Sequence, residues 1–528
     1  MAVHDAIHKL RNDAHMSREK FAEILGVSQQ AVQKWETGAS VPDMKNLVKM
    51  AKCFHVSTDA LLLGGDLRSA EIESCCKTII PNHATMDMGT SFAEDLNVEF
   101  TQAVDEGLDV EQYRDLFEAV GKMPKGINKD KMADVLFDIV LNAPVRPDYG
   151  YMEPSTLEEI HRLRRAHPVV GNVPQGDALR AKIHGAWLGR VVGCLLGKPV
   201  EGIRTDDLVP LLKESGNTPM HRYILSTDIT EKMCEEFDFN PRNKCYADTV
   251  ECMPVDDDTN YVVLAQMLIE KYGRDFCPKD VARLWLDTQS IYSYFTAERV
   301  AFVNFINGFE PPASAAYKNH YREYIGAQIR GDYFGYINPG DPEAAAELAF
   351  KDACISHIKN GIYGEMFASA MIACAAVTEN IEDIIRGGLA QIPRTSRLYE
   401  AVDGIIADYH NGAALQDVYH KIHGAYDEHT GYGWCHTISN AMIVTAALLY
   451  GGGDFGTSIC MAVEAAFDTD CNGATVGSII GMRNGVEGIS EYWANPVNNT
   501  IDTSIFGVGK VKITDCVEKT LEHISKNE

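Results

Sequence analysis

Short amphipathic periods dominate the first 64 positions. Residues 17–25 and 28–37 each repeat apolar side chains three and four apart, which predicts two short helices joined at Gly26-Val27. Ser17, Ser28 and Ser57 stand where N-caps belong, and Gly26, Gly38 and Pro42 punctuate the pattern. Residues 65–90 read as irregular and 91–142 as helical, without recognisable chemistry. Residues 143–155, APVRPDYGYMEPS, read as a linker. From about 156 to 490 the pattern is long helices rich in Ala and Gly, with loop-rich insertions at 203–254 and 295–345. The tail from 491 ends in a helical stretch at 515–526. The pattern divides the chain into a small helical domain at 1–64, a linker and helical segment at 65–155, and a large helical body at 156–528.

Length and composition agree with that division. A chain of 528 residues allows roughly three or four domains. With 45% hydrophobic and 23% charged residues, wholesale disorder is excluded. The net charge of −27 makes the whole chain a poor general nucleic-acid binder. Residues 1–64 depart from this: they hold 8 Lys or Arg against 7 Asp or Glu, a balance of +1 that leaves −28 for the remainder. Fourteen cysteines without a C-x-x-C spacing read as reduced thiols of a cytoplasmic protein. No apolar signal segment opens the chain, and the apolar run at 441–453 is shorter than the ~20 residues a bilayer requires, so a soluble protein without a membrane partner is expected.

In the second predicted helix, at ~100° per residue, Gln29, Gln30, Gln33 and Lys34 share an arc of about 140°, with Ala31, Val32 and Trp35 opposite. Glutamine can pair bidentately with adenine in the major groove, and lysine can reach guanine or phosphate. Ser28, at the helix start, can place backbone N–H groups on a phosphate. Leu25-Gly26-Val27-Ser28, Trp35-Glu36-Thr37-Gly38, Pro42 and the run Leu47-Val48-Lys49-Met50-Ala51 together resemble the Cro/CI-type helix-turn-helix family. The resemblance covers about residues 5–64. It implies a five-helix domain that binds double-stranded DNA, usually as a homodimer on a palindromic site.

Two acidic clusters stand out in the body. Asp256-Asp257-Asp258-Thr259 precedes an amphipathic helix, and Asp468-Thr469-Asp470-Cys471 lies between two helices of small residues. Capping accounts for one or two of these carboxylates, not five. Gly185, Gly189, Gly193 and Gly197, and again Gly473, Gly477, Gly481 and Gly485, recur every four residues. Each glycine costs about 1 kcal/mol in a helix interior, so the two stripes argue for close backbone packing that brings the clusters together. Gathered carboxylates repel unless protonated or bound to cations, and an oxygen-rich set suits Mg²⁺, Mn²⁺ or Ca²⁺.

The 185–201 run GAWLGRVVGCLLGKPVE, Asp257-Asp258-Thr259, Ser356-His357 and Asp468-Thr469-Asp470 look like the ADP-ribosylglycohydrolase family over roughly 177–490. The resemblance implies an all-α orthogonal helix bundle with a two-Mg²⁺ site (Mn²⁺ as the substitute). It also implies hydrolysis of the bond between ribose and an ADP-ribosylated protein or small-molecule acceptor. It makes Asp257, Asp258, Asp468 and Asp470 metal ligands, with Asp256 in the place of a ligating Thr. Cys471 also stands where many members carry a ligating Thr, and a neutral thiol is a poor Mg²⁺ ligand. Glu201 matches a glutamate near the metals. Glu201, Asp257 and Asp470 are the catalytic candidates, and Gly326, Gln328 and His357 the candidates for the ADP-ribose pocket. The alternative is a transcriptional regulator whose body senses ADP-ribose or a related nucleotide.

Overall fold

The computed structural model describes residues 3–54, 56, 58–62, 91–168, 171–236 and 244–526. It is all-α apart from one antiparallel pair of two-residue strands, Thr500–Ile501 with Val511–Lys512. The chain forms two compact units, residues 1–86 and 87–528. No described helix is long and apolar enough to cross a membrane.

Among the described residues the first unit has five helices: Val3–Asp13, Arg18–Leu25, Gln29–Glu36, Met44–Phe54 and Thr58–Leu62. Ile7, Phe21, Leu25, Val32, Trp35, Leu47 and Met50 close its core. The Ser17 and Ser28 side chains accept from Lys20 N and Ala31 N, both at 3.2 Å, as N-caps should. The expected cap Ser57 and the irregular stretch 65–90 lie outside the described residues. Gly26 ends the second helix at φ 63°, a conformation that favours glycine. Glu36, the last residue of the third helix, is held by both Arg11 and Arg18 at 2.5 Å.

The second unit is built around two glycine-striped helices, Asp177–Gly197 and Thr469–Asn484, packed antiparallel. A Cβ on Gly185, Gly189 or Gly193 would sit 2.2, 2.1 or 1.9 Å from the carbonyl oxygen of Gly481, Gly477 or Gly473. The helices therefore meet backbone to backbone, which only glycine permits. Gly485 ends the stripe: at φ 76° it terminates its helix, and its backbone carbon would lie 2.6 Å from a Cβ on Gly185. Gly197 abuts Thr469, whose hydroxyl donates to the Gly197 carbonyl at 2.9 Å. The C-terminus of one striped helix thus lies against the N-terminus of the other.

The described part of 65–155 belongs to this second unit. The stretch read as a linker, 143–155, is fastened to the body. The Glu153 side chain is 1% exposed, pairs with Arg397 at 3.0 Å and accepts from Asn360 at 2.8 Å. The preceding helix Leu96–Asp105 brings Glu99 to Arg322 at 2.7 Å and Gln102 to Glu323 at 2.6 Å. Composition suggested a linker because Pro and Tyr are common in connections, but a buried carboxylate needs partners and finds them on the body.

Candidate functional site

Three helix ends converge on one cavity. Asp256 caps the helix Asp257–Tyr272, Asp468 stands at the N-cap position of Thr469–Asn484 without a side-chain cap bond, and Asp177–Gly197 runs into the short turn Lys198–Val200 that precedes Glu201. Two of these ends are helix N-termini, whose dipoles favour negative charge. The cavity holds about 500 Å³ and is lined by Lys198, Glu201, Asp256, Asp257, Asp468, Asp470 and Cys471, among others. Two left-handed non-glycine residues, Ala466 at φ 60° and Phe467 at φ 58°, turn the chain into Asp468. Such conformations cost about 1–3 kcal/mol each and collect at functional sites.

The side chains form two ligand groups. Cys194, Asp256, Asp258 and Asp470 each offer one atom, all within 4.8 Å of one another; Asp468, Asp470 and Cys471 do the same. Asp470 belongs to both. Asp258 does not line the cavity. Its Oδ1 pairs with buried Arg190 at 2.7 Å, and its Oδ2 is buried without a hydrogen-bond partner. Asp470 Oδ1 is likewise buried and unpartnered. Asp256 is the most committed: Oδ1 accepts from Asp258 N at 2.9 Å and Oδ2 pairs with Lys198.

Electrostatics mark the groups as cation-seeking. Burial pushes the Asp470 carboxyl above the usual range, with the Asp256 charge adding to it. Asp468 is pushed well above it by burial and Asp470. Asp257 is pushed up to about 8 by burial, Asp256 and Asp470. Asp256 alone is held low, because Lys198 outweighs the burial that would raise it. Orphaned carboxylate oxygens in a crowded acidic cluster fit divalent cations, which would neutralise the repulsion.

Glu201 and Asp257 line the cavity but belong to neither ligand group. Glu201 is exposed, and the Asp470 charge, with that of Asp256 adding to it, holds its carboxyl well above the usual range. Gly326 also lines the cavity; a Cβ there would lie 2.1 Å from Glu298 Oε1.

Gln328 and His357, expected in the pocket, stand behind its wall. Gln328 is 1% exposed and its Oε1 accepts from Thr437 at 3.1 Å. His357 is fully buried; its Nδ1 meets the Ser356 hydroxyl at 2.9 Å, and its Nε2 lies 4.0 Å from Glu298. Motif position could not separate wall from backing, since the turn-rich 317–331 segment is buried almost throughout and its facing is set by packing. Sequence reasoning also missed Cys194, Cys435, Lys198 and Glu298. Cys194 follows Gly193 in the seam, and nothing local in the sequence marks its sulfur as facing the carboxylates. Glu298 comes from the helix Thr296–Ile306, inside a stretch taken as loop-rich. Tyr292, Phe295 and Trp434 supply aromatic surface to the cavity.

In the first unit Gln29, Gln30, Gln33 and Lys34 are exposed on the third helix, while Val32 and Trp35 are buried. Gln29 donates to Glu19, so Gln30, Gln33 and Lys34 are the side chains of this set free of a protein hydrogen bond in the described contacts. The Ser28 hydroxyl is engaged in capping.

The family model described as ADP-ribosylglycohydrolase matches residues 175–526, and one described as helix-turn-helix matches 7–61. The chain is 37% identical over 67 residues to the HTH-type transcriptional activator BcrR of Enterococcus faecalis, covering 13% of this chain and 33% of that protein. It is 37% identical over 60 residues to the SPbeta prophage-derived uncharacterized HTH-type transcriptional regulator YonR of Bacillus subtilis (strain 168), covering 11% of this chain and 56% of that one. The chain thus spans between a third and just over half of these relatives. A solved structure titled ADP-ribosylglycohydrolase-related protein complex covers 67% of this chain and all of its own, at 16% identity and a TM-score of 0.43.

Proposed function

The chain belongs to the ADP-ribosylglycohydrolase family through residues 175–526, and on that premise we propose that its body hydrolyses the glycosidic bond of ADP-ribosylated substrates with divalent cations. The observation that carries the reading is the convergence of Asp256, Asp258, Asp468 and Asp470, with two orphaned buried oxygens, at a cavity large enough for a nucleotide-sized ligand. Asp256, Asp258, Asp468 and Asp470 would hold divalent cations, Mg²⁺ or Mn²⁺ in the family pattern, which would offset the carboxylate charge and supply Lewis acidity at the substrate. Glu201 and Asp257 face the same space outside the ligand groups. Either is placed to take a proton from water as it attacks the anomeric carbon, with an oxocarbenium-like transition state. Their pushed-up carboxyls are suited to proton transfer near neutral pH once partly relieved by cation charge. Lys198 holds Asp256 ionised, and Tyr292, Phe295 and Trp434 offer flat apolar surface for a base.

The test is turnover of ADP-ribosylated protein and small-molecule substrates by the purified full chain, with and without divalent cation. Cation-dependent release of ADP-ribose, lost in Glu201→Gln or Asp257→Asn, is the expected result. Release that ignores chelator would overturn the reading.

The first unit serves as a sequence-specific DNA reader in this proposal, with Gln30, Gln33 and Lys34 presented on its third helix and the similarity to curated transcriptional regulators in support. Gln33→Ala is expected to cost about 1–3 kcal/mol on the specific site and little on random DNA. Competition gel shifts at fixed salt check it; equal loss on both DNAs would count against base reading.

A further inference from the structure

Each of the two ligand groups contains a sulfur. Cys194 Sγ stands with Asp256, Asp258 and Asp470, and Cys471 Sγ with Asp468 and Asp470. A third thiol, Cys435, donates to Asp468 Oδ2 at 3.5 Å. All three are buried, and none is in a disulfide. The carboxylates that share the groups include the two orphaned oxygens, Asp258 Oδ2 and Asp470 Oδ1, so each group has a buried oxygen awaiting a partner beside its sulfur.

This donor set departs from the all-oxygen one that Mg²⁺ requires. Mg²⁺ is hard and binds sulfur poorly, whereas Co²⁺, Zn²⁺ and Cd²⁺ accept thiolate and carboxylate together. We infer that Cys194 and Cys471 are metal ligands and that they set the site's preference toward thiophilic divalent cations over Mg²⁺. Coordination balances without redox chemistry: as each sulfur–metal bond forms the S–H bond breaks, its electron pair stays on sulfur, and the proton leaves to solvent. The inference rests on the proposed cation site but goes beyond it, because it concerns which ion the chain's own side chains select.

The experiment is Co²⁺ titration of the chelator-treated full chain under a non-metal-binding reductant, followed by ultraviolet absorption. Thiolate-to-cobalt charge-transfer absorption is expected, displaced by Zn²⁺ or Cd²⁺ at far lower concentration than by Mg²⁺. Cys471→Ser should reduce the absorption and lower the ratio of Co²⁺ to Mg²⁺ affinity on the order of tenfold, since serine supplies a hard oxygen at the same position. Cys194→Ser should remove a separate share. Cys53→Ser and Cys277→Ser, which alter exposed thiols, should leave the spectrum unchanged. Cobalt binding without charge-transfer absorption, or absorption untouched by both Cys471→Ser and Cys194→Ser, overturns the inference while leaving the cation-dependent hydrolase intact. Failure of every divalent cation to bind overturns both.

Discussion

Asp470→Ala is expected to abolish both divalent-cation binding and turnover, while raising the melting temperature of the cation-free protein. Asp470 is the residue shared by the two ligand groups, so its loss affects both at once, whereas Asp468→Ala leaves the Cys194, Asp256 and Asp258 group intact. The opposite signs follow from one cause. Without an ion, Asp470 raises the carboxyls of Glu201, Asp468 and Asp257 by repulsion, and removing it relieves that strain. With an ion at a hundred times its dissociation constant, the wild type gains about 2.7 kcal/mol by mass action, and the variant forgoes it. Turnover should fall at least about a hundredfold, because cation charge stabilisation is worth several kcal/mol of barrier. Thermal melts with chelator and with divalent cation, beside a turnover assay, check all three effects. A variant that still gains stability from the cation would show that the ligand groups are not the cation site.

Gly193→Ala should destabilise the body by about 3 kcal/mol or more, at the upper end of the cost of overpacking. The added methyl would lie 1.9 Å from the Gly473 carbonyl oxygen and 2.4 Å from its carbon. Those are backbone atoms of the facing helix, so no rotamer change relieves the clash, and the seam must open. Opening it also displaces Thr469 from Gly197 and hence Asp470 from Asp258. Gly404→Ala is the matched control. Gly404 lies within the helix Arg397–His410, its nearest Cβ neighbour is the Lys421 ammonium at 3.9 Å, and alanine there should stabilise by up to about 1 kcal/mol. Denaturant midpoints of the two variants, measured together, separate close packing from helix propensity. A Gly193→Ala protein as stable as wild type would mean that the seam is loose in solution.

Much of this protein is legible in its sequence because the signals are local. The serines at 17 and 28 cap because a hydroxyl placed just before a helix satisfies a free N–H. The third helix shows its glutamines because a 3.6-residue period fixes which side Val32 and Trp35 bury. The glycine stripes announce a backbone seam because no other residue recurs every four positions at such cost without a reason. The two acidic clusters mark candidate ligands because five carboxylates exceed what helix capping needs. What needed the tertiary structure was every assignment that depends on which way a buried chain faces. Gln328 shares a motif with Gly326, yet only Gly326 lines the cavity, because packing of the 317–331 turns decides which atoms point inward; His357, from a separate motif, is buried away from it. Asp257 and Asp258 are neighbours, yet one lines the cavity and the other is held by Arg190, 68 positions earlier in the chain. Cys194 meets carboxylates from two other helices only because the antiparallel crossing sets its sulfur beside them. The sequence encodes the chemistry of each side chain and its local period; only the long-range packing of helix against helix sets which of them meet.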